Sequence, residues 1–192
     1  MGDISFELQD QLTPLLRIGH LDECLKVVSA RLSALPPSPF HIALELNITT
    51  NAVGVAEWFD GFFANRDGDR KISAAYTEMN GFDINTSRWW FSAFTYSEYG
   101  GHEDYDWLSD WQSESDGGVV IGGLEPLQRV YASDAFRDAQ YNDACDVTGL
   151  LVVIKFQDLI QRAANHMKEL KFPLLATAHD YDFIYEARGC IS

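Results

Sequence analysis

The chain has 192 residues, and its 14 lysines and arginines against 29 aspartates and glutamates give a formal net charge of −15. A negative field of this size repels phosphate and anionic lipid, which argues against nucleic acid and membranes as partners and favours cationic proteins. The length suits one domain with a real hydrophobic core. Three widely separated cysteines indicate reduced thiols, and the acidic N-terminus shows no signal-peptide pattern, so we expect a cytoplasmic protein.

The N-terminal part has the spacing of two helices. Apolar residues recur every three or four positions within 3–34, and Gly19 interrupts the pattern. This predicts a helical hairpin over 1–35, which either packs on the rest of the protein or forms a homodimer. The proline-rich stretch 36–39 ends any helix, and residues 40–192 then form the body.

The body alternates between helical and extended patterns. We predict helices at 51–64, with Thr49 or Thr50 as the cap, and at 72–79, 124–136 and 156–170. We predict strands at 40–48, 88–99, 148–155, 173–178 and 181–187, with a further strand before the turn at 85–87. These elements predict an α+β fold, a single domain with a mixed, largely antiparallel sheet packed by helices and the N-terminal helical hairpin.

The stretch 89–116 stands out because it holds four of the five tryptophans and seven carboxylates, while no Lys or Arg occurs from Trp89 to Gln128. Trp107 and Trp111 are four residues apart, which predicts a short helix carrying both rings on one face. Unneutralised carboxylates around aromatic anchors are typical of a surface that binds a basic protein. A solvated loop held by two buried tryptophans is the alternative. The predicted partner-binding residues are Asp104, Tyr105, Asp106, Trp107, Asp110, Trp111, Glu114 and Asp116.

Two short segments, 102–106 and 179–182, each place a histidine beside aspartates. If they meet in space, His102, Asp104, His179 and Asp182 could hold a divalent ion for hydrolysis. Their spacing matches no strong metal motif.

Other signatures are weak or missing. The turn at 65–73 resembles a calcium loop but lacks its glycine and its glutamate. No nucleophile elbow or phosphate-binding glycine loop occurs, so we expect neither cofactor nor metal and favour a non-enzymatic protein.

In its overall charge, in the segment FHIALELNITT followed by the predicted helix at 51–64, and in the acidic loop HEDYDWLSDWQSESD, the chain resembles the cytosolic immunity proteins that neutralise bacterial toxins. That resemblance implies a small acidic α+β inhibitor that occludes the active site of a basic toxin such as a nuclease. It transfers no functional residues. The metal-dependent hydrolase using His102/Asp104 and His179/Asp182 is the alternative.

Overall fold

The computed structural model describes residues 3–64, 71–82 and 87–189. Within these ranges the α-helices are α1 (Asp3–Arg17), α2 (Leu21–Ser33), α3 (Ala52–Ala64), α4 (Glu125–Tyr131) and α5 (Asn142–Ala164). The strands are β1 (Ala74–Met79), β2 (Trp90–Tyr96), β3 (Ser113–Glu114), β4 (Val119–Val120), β5 (Leu174–Ala178) and β6 (Tyr185–Ala187). Short 3₁₀ helices cover Pro39–Leu44, Asp106–Ser109, Asp134–Arg137 and Ala139–Tyr141. No described helix is long and apolar enough to cross a bilayer.

The strands form one mixed sheet in the order β3-β2-β1-β5-β6. β4 also pairs with β2, so β3 and β4 share the outer position beside it. β1 and β5 run parallel, and the other pairs are antiparallel. The predicted single α+β domain with a mixed, largely antiparallel sheet is therefore confirmed.

The buried helix α5 forms the centre of the molecule. Fifteen of its 23 residues are buried, and it contacts α1, α2, α3 and strand β5. The predicted strand at 148–155 is therefore wrong, because this apolar run lies inside α5. An apolar run without alternation fits a helix surrounded on all sides as well as a buried strand. The helix predicted at 156–170 is the second half of α5 and ends at Ala164.

The N-terminal helices pair as predicted. The chain turns between them at Gly19, whose φ of 82° lies in the left-handed region that glycine favours. The buried residues of α1 and α2 belong to the same hydrophobic core as those of α5. Dimerisation through these helices stays a prediction.

Two further element predictions are wrong. The predicted helix at 72–79 is replaced by strand β1 over residues 74–79. Its side chains alternate between two buried clusters, with Ala74 and Tyr76 on one face of the sheet and Ala75 and Met79 on the other. The first half of the predicted strand at 40–48 belongs instead to the 3₁₀ helix Pro39–Leu44. Its buried residues Phe40 and Ala43 are three apart, the period of a 3₁₀ helix.

Several boundaries also moved. The cap of α3 is Asn51, whose Oδ1 accepts from the Val53 amide at 2.9 Å, rather than Thr49 or Thr50. Thr50 instead accepts from the Gly122 amide at 2.9 Å. The predicted strands at 88–99 and 173–178 are confirmed as β2 and β5, whereas the strand at 181–187 shortens to β6 and the helix at 124–136 to α4. Residues 65–70 of the calcium-like turn and 83–86 of the second turn lie outside the described residues.

Lys155 fastens the 3₁₀ segment to α5. Its Nζ donates to the carbonyl of Ala43 at 2.8 Å and to that of Leu46, and burial lowers the pKa of its ammonium group. A buried carbonyl that is left without a hydrogen-bond donor lowers the free energy of unfolding. Lys155 is therefore a polar anchor within an apolar region.

Replacing this ammonium group should destabilise the fold. We expect Lys155→Met to lower the free energy of unfolding by about 1–3 kcal/mol, because both carbonyls lose their donor. Denaturant unfolding of the purified variant measures this loss. Lys26→Met, at an exposed position of α2, is the control and should change stability by less than about 0.5 kcal/mol. Equal effects of the two changes would show that the carbonyl contacts contribute nothing.

Candidate functional site

The sheet has one face on the helices and a second face away from them. Paired strand residues point to the same face, so the registers place Glu114, Phe94, Tyr76, Leu175 and Glu186 in one row across the second face. This row runs from the outer strand β3 to the opposite edge at β6. The candidate surface is built on this face.

The loop 97–112 covers part of the second face and makes a small second core. Tyr105, Trp107 and Leu108 pack against a buried group in which Tyr76 and Tyr96 are the largest side chains. The Tyr96 hydroxyl donates to the carbonyl of Leu108 at 2.9 Å, and its pKa is raised by burial. The loop is therefore bound to the sheet by apolar contact and hydrogen bonding.

Trp107 is one of the side chains that attach this loop. Its ring centroid lies 4.9 Å from that of Tyr96 and 5.6 Å from that of Tyr99, in both cases edge to face. Its Nε1 donates to the carbonyl of Gly101 at 3.2 Å. A methyl group on Gly100 would lie 2.3 Å from the Trp107 ring, so glycine is required for this approach. Both the ring and the Nε1 group of Trp107 therefore have contacts within the protein.

Trp111 has a different environment, and the predicted helix carrying both rings is wrong. The 3₁₀ helix ends at Ser109, so Trp111 lies beyond it. The Asp104 carboxylate accepts from the Asp106 amide at 2.8 Å, which starts a tight turn instead of an α-helix. The Trp111 side chain is 50% exposed, and its ring lies edge-on to Phe94 with centroids 5.5 Å apart.

The predicted acidic side chains are all on the surface. The exposed carboxylates are Asp104, Asp106, Asp110, Glu114 and Asp116. Among the described residues, no lysine or arginine forms an ion pair with any of them. Glu114 lies directly opposite Phe94 in the β2–β3 pair, so the two side chains project from the same face of the sheet. The structure therefore brings part of the predicted charge together with Trp111.

A hydrogen-bonded group, which we call the loop anchor, joins the loop to strand β6 and consists of Tyr99, His102, Tyr105 and Glu186. His102 Nε2 donates to Glu186 Oε2 at 2.8 Å, and His102 Nδ1 lies 3.1 Å from the Tyr105 hydroxyl, within hydrogen-bond distance. The Tyr99 hydroxyl donates to the same carboxylate oxygen at 3.2 Å. Burial, together with the Glu186 charge, raises the pKa of Tyr99 to about 12, so its hydroxyl keeps its proton at neutral pH.

The four residues predicted for a metal site are divided among different contacts. His179 Nδ1 lies 2.9 Å from Glu78 Oε1, whereas Asp104 caps its own turn. His102 and Asp182 line one cavity of about 130 Å³. Within the part of the chain that the structure describes, no three histidine, cysteine or carboxylate side chains are placed to hold a metal ion.

Sequence patterns alone missed two contributors to this site. Phe94 lies among bulky residues on a predicted strand and does not stand out, although the alternation along β2 places it on the same face as Trp90 and Tyr96. Glu186 was not singled out, because its role depends on which strand lies next to the loop. The signal for Phe94 was therefore present in the sequence, and the signal for Glu186 was not.

No protein-family model matches the chain, and no curated protein or solved structure matches it either. The resemblance to immunity proteins thus remains one of charge and sequence character. The exposed acidic and aromatic surface is the feature from which a function can be inferred.

Replacing each of the two tryptophans should lower the free energy of unfolding by different amounts. We expect Trp107→Ala to lower the free energy of unfolding by about 2–4 kcal/mol, because the ring loses its packing and Nε1 its acceptor. We expect Trp111→Ala to lower it by less than about 1 kcal/mol, since half of that side chain is already exposed. Chemical unfolding followed by far-ultraviolet circular dichroism measures both. Similar losses for the two variants would contradict this division of roles.

Proposed function

We propose that the protein binds a basic protein partner through the surface formed by residues 102–116 and catalyses no reaction of its own. The observation that supports this is the exposed ring of Trp111 beside carboxylates that have no cationic partner among the described residues. Aromatic rings serve as binding anchors because they bury a large apolar area at a low cost in side-chain entropy.

The charges and the ring contribute differently to such binding. Exposed carboxylates attract a cationic partner over the Debye length and mainly raise the association rate. A ring that becomes desolvated in the complex mainly slows dissociation. The mutual repulsion of the carboxylates falls when a positive surface covers them, which adds to affinity.

The finer proposal is an immunity-type inhibitor of a toxin such as a nuclease. A nuclease binds phosphate with Lys and Arg side chains in its cleft, and these are the groups that exposed carboxylates complement. Asp104, Asp106, Asp110, Glu114 and Asp116 would then occupy the phosphate positions and Trp111 an adjacent apolar hollow. Inhibition follows from occlusion of the cleft, and Trp107 supports the loop from inside.

Capture from the proteins of the native host tests this proposal. The wild-type protein should retain one or more basic proteins at about 0.1 M salt and release them at about 1 M, where the Debye length falls to about 3 Å. The variant carrying Asp104→Asn, Asp106→Asn, Asp110→Asn, Glu114→Gln and Asp116→Asn should retain none of them. If a retained protein is a nuclease, added wild-type protein should block its activity.

The control removes the same number of charges elsewhere. Five exposed carboxylates on other elements serve for this purpose, replaced as Glu7→Gln, Asp10→Asn, Asp22→Asn, Glu45→Gln and Glu57→Gln. This variant has the same net charge as the loop variant and should still retain the partner. Loss of capture in both variants would reduce the effect to net charge, and retention by both would refute the proposed surface.

A further inference from the structure

The second face of the sheet is only partly covered by loop 97–112. Tyr76, Tyr96 and Leu175 are buried beneath the loop, whereas Trp90 and Phe94 stay partly exposed on the same face. With Trp111 they form what we call the aromatic strip: Trp90, Phe94 and Trp111. Four residues of extended strand place the ends of the β2 part of this strip about 13 Å apart.

The strip lies on a firm base. The Phe94 ring is 6.0 Å from the ring of Tyr76, whose hydroxyl donates to Glu78 at 2.7 Å. The Trp90 ring is pressed on Gly118, where a methyl group would lie 2.4 Å from Trp90 Cε3. These contacts hold the rings in place before any partner arrives, which lowers the entropy cost of binding.

The adjacent sheet edge is poorly suited to adding a strand from a partner. β3 and β4 have two residues each, and Ser115 fills the interruption between them, where its Oγ accepts from the Ala93 amide at 3.1 Å. Short, interrupted edges that carry charge resist strand pairing. A partner therefore reaches this region through side chains that contact the face.

Arginine is the side chain that suits this face. Its guanidinium group is planar, stacks on aromatic rings and donates two hydrogen bonds at once to a carboxylate. Glu114 lies opposite Phe94 in register, and the Trp111 ring contacts Phe94, so ring and carboxylate converge on one position. Lysine offers a point charge without the flat surface and gains less from the rings.

On the basis of the proposed function, we propose that the aromatic strip binds an arginine side chain of the basic partner, with the guanidinium stacked on Trp111 and Phe94 and hydrogen-bonded to Glu114. The negative surface around the strip selects a cationic occupant, and the rings select arginine among cations. The strip is thus the specificity element of the acidic surface.

Two peptides of equal charge test this proposal with the full chain. Octa-arginine and octa-lysine, each with blocked ends, are titrated against the protein by calorimetry at fixed salt. We expect the arginine peptide to bind about fivefold more tightly than the lysine peptide, corresponding to a guanidinium stacking contribution of about 1 kcal/mol. Equal affinities, or no binding of either peptide, would overturn the proposal.

Variants locate the effect on the strip. Trp111→Leu keeps an apolar side chain without a ring and should remove most of the arginine preference, while Trp111→Phe should keep most of it. Glu114→Gln should weaken the arginine peptide more than the lysine peptide. The controls are Phe6→Ala, which removes another exposed ring, and Glu57→Gln. Neither control should change the ratio of the arginine-peptide affinity to the lysine-peptide affinity. An arginine preference that survives Trp111→Leu would exclude the strip.

The outcomes also separate this proposal from the proposed function. If both peptides bind equally and binding is lost in the loop variant with five carboxylates replaced, the acidic surface still attracts basic partners but does not select arginine. If neither peptide binds and the wild-type protein captures no basic protein, both proposals fail.

Discussion

The need to surround α5 on all sides determines most of this architecture. Over residues 147–154 every residue of this helix is buried, so other elements must cover its whole circumference there. Helices α1, α2 and α3 and the 3₁₀ helix Pro39–Leu44 cover part of it, and the sheet covers another part. Because one face of the sheet is used in this way, the other face is left to the loop 97–112 and to whatever binds beside it.

A buried polar side chain of α5, Gln157, joins this helix to the strands that carry the surface loop. Gln157 Nε2 donates to the carbonyl of Ala176 at 3.1 Å and to that of Phe183 at 2.7 Å, which joins α5 to β5 and to the chain entering β6. β6 then presents Glu186 to the loop anchor. The position of the exposed loop is therefore linked to the centre of the molecule by a short series of hydrogen bonds.

Periodicity predicted the parts of the fold in which one side of an element faces water. Helices α1 and α2 and strands β2 and β5 follow their predicted positions for this reason. The pattern failed where burial is nearly complete, as at 148–155, because an apolar run then carries no information on its period. It also failed at 72–79 and 40–48, where the contacts of the sheet and of Lys155 decide the conformation rather than local preference.

The candidate site shows the same limit, because its residues were evident and their separate roles were not. Trp107 and Trp111 lie in the same acidic stretch, and the sequence does not distinguish them. The register of β2 and the end of the 3₁₀ helix at Ser109 show which ring holds the loop and which ring faces water. The loop anchor and Trp107 hold the loop through ring contacts and hydrogen bonds. A loop held in this way can present several like charges, and those charges stay available to a partner because the fold does not use them.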